Sequence, residues 1–143
     1  MDWLWVLIVA LRAVSPAPDD QWAARLAELD QVRDRAFAAS DPLLLDQVYV
    51  EDSPARRSDA RLIEAYRRRD GRVVGAELRV LSCRVLGERN GRVRLEVVDQ
   101  LDAARVEWSD GTSTDLPRDR PSRREIALVR TAQGWRIAES RLR

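Results

Sequence analysis

The stretch Glu125-Ile126-Ala127-Leu128-Val129-Arg130-Thr131-Ala132-Gln133-Gly134-Trp135-Arg136-Ile137 decides how this chain is read. Its first seven residues form an apolar strand, Gln133-Gly134 a tight turn, and Trp135 opens a second strand that runs to about Leu142. Such a hairpin at the C-terminus needs further strands to pair with and a layer to cover it.

Working upstream, Asn90-Gly91 is a second hairpin signal. Val93, Leu95 and Val97 alternate with Arg92, Arg94 and Glu96, the period of a half-buried strand. That strand continues through Asp99 and Leu101, and a slip of phase near Ala104 puts Val106 and Trp108 on the apolar side. Before the turn, Ala76, Leu78 and Val80 alternate with Glu77 and Arg79, after which Leu81, Cys83 and Val85 become the apolar set. A one-residue slip inside a strand predicts a β-bulge, which bends the sheet. Ser109 to Ser122 is a polar excursion, longer than most hairpin connections and a candidate for a partner contact.

Ahead of residue 71 the period is helical. Trp22, Leu26, Leu29, Val32, Ala36 and Phe37 form one stripe at steps of three and four, backed by Arg25, Glu28, Asp34 and Arg35. Asp41 as cap and Pro42 at the first position predict a short helix to Tyr49. A third helix runs from Pro54 to about Arg69, with Leu62, Ile63 and Tyr66 inward, and Gly71 is expected to supply its left-handed cap. Three helices followed by antiparallel strands predict an α+β fold: three N-terminal helices packed on a curved, mainly antiparallel four-stranded sheet that forms a cone with a pocket.

Composition bounds the chemistry. The 143 residues make one domain, 45% apolar and 34% charged, with 25 basic residues against 24 acidic. The near-zero net charge points away from nucleic acid. Every basic residue is arginine. Without lysine or histidine there is no histidine base, no Schiff base, no P-loop lysine and no histidine-containing metal site. A single Cys83 excludes an intrachain disulfide and a thiolate cluster, and its phase makes it core filler. The Asp110–Asp115 stretch lacks the ligand spacing of a calcium loop. No metal and no cofactor is expected.

Residues 1–18 stand apart as an apolar segment and Pro-rich linker ahead of a 19–143 domain. Trp3 to Leu11 is unbroken and apolar, but as a helix it spans only about 14 Å, against about 30 Å of hydrocarbon. Followed by Arg12, small residues and Pro16-Ala17-Pro18, it reads as part of an export signal or membrane anchor. A helix or arm packed on the domain is the other reading. Extracytoplasmic or membrane-anchored placement is favoured over cytoplasmic.

Trp22…Leu26…Leu29-Asp30…Arg33…Ala36-Phe37, the Asp41-Pro42 helix start, Leu45…Val48-Tyr49 and the closing Gly134-Trp135-Arg136-Ile137 together resemble the nuclear transport factor 2-like superfamily, in particular its actinobacterial, SnoaL-like members. The resemblance covers about residues 20–143, and its most specific part is the Gly-Trp ending. It implies a cone around a pocket. It also implies a choice of functions, since members include ketosteroid isomerases, polyketide cyclases and dehydratases, and also non-catalytic binding modules, some behind a membrane anchor. Pocket-lining residues are expected to be Phe37, Tyr49, Tyr66, Leu95, Val97 and Trp135.

Asp99 shares the phase of Val93, Leu95 and Val97 and is the candidate catalytic residue. In an apolar cavity its charged form is disfavoured, which raises a carboxyl's pKa toward the useful range. An isomerase of this type would use it as general base, with Tyr49 or Tyr66 donating and a second acid such as Glu77 or Glu139. Alternatively Asp99 pairs with an inward arginine such as Arg130, or lies in water at the sheet rim. A histidine-dependent dehydratase is excluded. Trp22, Trp108 and Trp135 are core aromatics or a stacking surface, and Arg67-Arg68-Arg69 a solvated helix end. The leading expectation is a non-catalytic, envelope-associated module that binds a small apolar ligand or a protein partner. The alternative is a ketosteroid isomerase- or polyketide cyclase-type enzyme acting on an apolar carbonyl compound. A homodimer through the outer sheet face would be polar, because that face carries Arg92, Arg94 and Glu96.

Overall fold

The computed structural model describes residues 18–143. The apolar run 3–11, and with it nearly all of the 1–18 segment, lies outside the described residues. The elements are α1 (Pro18–Ala38), a 3₁₀ helix (Pro42–Gln47), α2 (Pro54–Arg68), β1 (Gly71–Val74), β2 (Leu78–Arg89), β3 (Arg92–Leu101), β4 (Arg105–Trp108), β5 (Ser113–Asp115), β6 (Ser122–Thr131) and β7 (Gly134–Leu142). The fold is α+β, with three helices against antiparallel sheet.

A four-stranded sheet runs in the order β2-β3-β6-β7. The β2–β3 turn is the Asn90-Gly91 pair, with φ of 51° and 71°, both in the left-handed region that a two-residue hairpin of this twist needs. Val80 pairs with Asp99 and Ser82 with Val98, so Leu81 is the extra residue of the bulge expected there. A second bulge, between Val85 and Gly87, carried no signal in the pattern.

The slip near Ala104 is a break between sheets rather than a bend within one strand. β3 ends at Leu101, and β4 pairs instead with β1 and β5 in a three-stranded sheet of order β1-β4-β5. β1 is too short to show a period, and β5 lies within the polar excursion, so neither was legible as a strand.

Gly71 has a different role from the one expected. The left-handed residue after α2 is Asp70, at φ 60°. Gly71 already belongs to β1, and a Cβ there would meet the Trp108 ring at 2.7 Å. Its value is therefore space for the indole. Leu62 also departs from expectation. It is 46% exposed, while Asp59 and Ile63, one turn apart, form the buried side of α2.

α1 lies along β2, the edge strand of the four-stranded sheet. The Leu78 N–H donates to Asp30 Oδ2 at 2.9 Å, and the Val85 N–H donates to Asp19 Oδ1 at 3.1 Å. Two backbone donors of β2 thus find side-chain acceptors on the covering helix. The 3₁₀ helix is anchored from the other side. The Ile137 N–H donates to the Val48 carbonyl at 2.8 Å, and the Val50 N–H donates to the Ile137 carbonyl at 3.0 Å. Asp41 caps that helix through the Leu43 N–H, as its sequence predicts. These ties hold α1 against β2 and the 3₁₀ helix against β7.

The outer face of the four-stranded sheet carries ion pairs. Arg84 meets Glu96, Arg94 meets Glu125, Arg143 meets Glu125, and Arg92 and Arg141 meet Glu139. Exposed pairs of this kind contribute only about 0–1 kcal/mol each.

Candidate functional site

Between the helices and the inner face of the four-stranded sheet is a cavity of about 500 Å³. Much of its wall is aliphatic, including Leu26, Val48, Val80, Val97, Leu101 and Ile126. Into this wall the fold sets two ion-paired groups and two further acids, the exposed Asp119 and the largely buried Asp30.

The first group joins α1 to α2 and to Tyr49, two residues past the end of the 3₁₀ helix. Arg33, on α1, donates from Nε to Asp59 Oδ2 at 2.7 Å and from Nη2 to Oδ1 at 3.1 Å. This is a bidentate guanidinium–carboxylate fork. The Tyr49 hydroxyl donates to the same Oδ2 at 2.7 Å. Asp59 is 8% exposed. Burial alone would lower the Arg33 pKa, but the bonds and charge of Asp59 outweigh it and raise the guanidinium above its ordinary value. Burial also pushes the Tyr49 hydroxyl up, so Tyr49 stays a neutral donor. The Arg33 guanidinium carbon lies 5.0 Å from the centroid of the Phe37 ring.

The second group is Asp99, 3% exposed on β3, which accepts from Arg124 Nε at 3.1 Å. The inward arginine is Arg124, from β6, and not Arg130, which is exposed. Asp99 sits in the cavity wall and not at a wet rim.

The largely buried further acid is Asp30. Its Oδ2 accepts the Leu78 N–H, whereas its Oδ1 is buried without a hydrogen-bond partner. The nearest cation, Arg33 Nη1, stands 3.9 Å from Oδ1, beyond hydrogen-bond reach. Burial raises Asp30 to about 6, against the lowering effects of the Leu78 N–H and the Arg33 charge. Asp30 is thus a cavity carboxyl placed to change charge near neutral pH.

Of the residues expected around a pocket, Tyr49, Val97 and Asp99 line this cavity. Leu95 and Phe37 lie in the hydrophobic core, Phe37 beneath Arg33. Tyr66 packs half-buried on the core from α2. Trp135 stands edge-on to Trp22, with ring centroids 4.9 Å apart and an angle of 83°. Glu77 and Glu139 are exposed, and Glu139 faces Arg92 and Arg141. Trp108 donates to Thr114 Oγ1 at 2.9 Å beneath the Arg69 guanidinium. Cys83 is half-buried, its thiol pushed up to about 11 by burial and by the charges of Asp19 and Asp20.

Asp30, Arg33 and Asp59 were not singled out as site residues from the sequence. A signal for the first two was present: Leu26, Asp30, Arg33 and Phe37 step by four, three and four along one helix face. Asp59 carried none, because Arg56-Arg57-Ser58-Asp59 has the composition of a solvated helix turn.

No family model and no curated protein matches the chain. Solved structures do. The intermembrane-space region of the chloroplast protein ARC6 aligns at a TM-score of 0.60 and 13% identity, covering 89% of this chain and 98% of that one. Aln2 from a Streptomyces species aligns at 0.53 and 11% identity, covering 89% and 91%. A protein from Catenulispora acidiphila in complex with S-DNPA aligns at 0.51 and 15% identity, covering 86% and 92%. At these identities the likeness is one of fold.

Proposed function

We propose that this chain, which shares its fold with the ARC6 region and Aln2 and resembles the nuclear transport factor 2-like superfamily, is a non-catalytic module that binds a small, largely apolar molecule in the cavity between its helices and its sheet. One observation carries the reading: both cavity arginines already hold a carboxylate, and the Tyr49 hydroxyl is donated to Asp59. Arg33 and Tyr49 are engaged with Asp59 and Arg124 is tied to Asp99 through its Nε, and the rest of the wall is largely aliphatic and of a size suited to a small ligand. The S-DNPA complex of the Catenulispora protein supports a small-molecule role for this cone. An enzyme with Asp99 as general base is the weaker reading, since one oxygen of that carboxylate already accepts from Arg124 Nε and the carboxylate is only 3% exposed.

The test is saturable binding. The full chain is expected to retain an organic mass in native mass spectrometry, or to take up one equivalent of an apolar probe such as 4-phenylbutan-1-ol. Leu101→Trp, which fills the cavity from its wall, should abolish uptake. A chain that carries nothing and shows no saturable uptake sinks the proposal.

We also propose that residues 3–11 attach the module to an envelope membrane. The support is the unbroken apolar run from Trp3 to Leu11 ahead of a Pro-rich linker. The full chain should float with lipid vesicles, and Ile8→Arg should release it. Equal flotation of the two chains would remove this segment from the account.

A further inference from the structure

The chain as a whole is balanced in charge, but its cavity is not. Among the residues that line it are the carboxylates Asp30, Asp59, Asp99 and Asp119 and the guanidiniums of Arg33 and Arg124. Each arginine is bonded to one carboxylate, Arg33 to Asp59 and Arg124 to Asp99. Asp30 has only the shared Arg33, whose Nη1 stands 3.9 Å from Oδ1 and beyond hydrogen-bond reach, and Asp119 has no cation against it among the described residues. Asp119 is exposed, and Asp30 is deep, with one oxygen buried and unpaired.

We infer that the cavity selects a molecule with an apolar body and one protonated amine, the ammonium lying against Asp30. This rests on the small-molecule reading above and names the ligand class for that cavity. An ammonium offers donors only, which matches the two lining carboxylates, Asp30 and Asp119, that no guanidinium hydrogen-bonds. Its charge neutralises an existing excess instead of adding to it. The competing ligand is an amphiphilic acid. Arg124 uses only its Nε on Asp99, so its outer nitrogens could take a carboxylate. Such an acid would enter a wall already rich in negative charge, with Asp99 on the same guanidinium 3.1 Å away. That like-charge cost decides for the amine.

Titration calorimetry of the full chain with 4-phenylbutylamine, 4-phenylbutan-1-ol and 4-phenylbutyrate holds the apolar body constant and varies the head group. The amine is expected to bind about tenfold or more tightly than the other two. Asp30→Asn should erase that preference, bringing the amine down to the affinity of the alcohol for the same variant. An alcohol or acid that binds as tightly as the amine overturns the inference and leaves the binding module standing. Binding of none of the three, with no retained mass, overturns both. The three-ligand comparison on the unaltered chain needs no variant, so it decides the matter even if Asp30→Asn does not fold.

Discussion

Arg33→Met should destabilise the protein by about 3–5 kcal/mol, the largest loss expected from any single change in the cavity wall. The methionine keeps much of the aliphatic volume over Phe37 but removes both donors to Asp59. Asp59 then sits 8% exposed with only the Tyr49 hydroxyl, and Asp30 loses its nearest cation. The cost comes from stranding buried charge and not from the worth of the pair itself. For that reason Arg33→Met combined with Asp59→Leu should recover most of the loss, a coupling that a double-mutant cycle in urea measures directly. A single-variant loss below about 1 kcal/mol would mean that water reaches Asp59, and that α1 and α2 are not held together through this group.

Asp30→Asn should act in the opposite direction and stabilise the protein at pH 7. The ordinary value for this carboxyl is 3.8, and burial raises it in the fold to about 6. Between those two values the folded state holds more protons than the unfolded one, so stability falls as pH rises from about 4 to about 6. The integrated penalty at neutral pH is about 3 kcal/mol. The groups that set it are the Leu78 N–H, Arg33 and Asp34 on α1, and Glu77 ahead of β2. An asparagine has no charge to desolvate and can still accept from the Leu78 N–H. The difference in stability between the two chains should therefore be small near pH 4 and grow toward pH 7, where the variant gains about 1–3 kcal/mol. A pH-independent difference would show that Asp30 does not titrate in the folded state. A carboxyl kept at a cost to stability, in a cavity, is the mark of a group retained for binding or chemistry.

These two predictions turn on Arg33, Asp30 and Asp59, and the three differ in how far the sequence shows them. Asp30 and Arg33 sit on the same face of α1 as Leu26 and Phe37, so helical geometry alone assigns them to the buried side. Polar residues at stripe positions are easily taken for the stripe's edge. Asp59 is hidden by its neighbours, since Arg56, Arg57 and Ser58 make its turn look solvated. Asp99 was legible throughout, because strict alternation along β3 puts it on the inner face with Val93, Leu95 and Val97. Its partner was not. Arg124 and Arg130 both belong to the same strand, and only the register of β6 against β3 places Arg124 beside Asp99.

Local chemistry written in the chain settled the helices, the cap at Asp41, the Asn90-Gly91 hairpin, the Leu81 bulge and the inward face of the long strands. Each depends on dihedral preference or on side-chain period within a few residues, and so is present before any tertiary contact forms. Tertiary structure alone decided that the chain from β3 to β4 changes sheets at Ala104, that Gly71 makes room for Trp108, and that Arg33, Tyr49 and Asp59 meet. Those outcomes join residues tens of positions apart. They are set by how two sheets and three helices share one interior, and no local period encodes that.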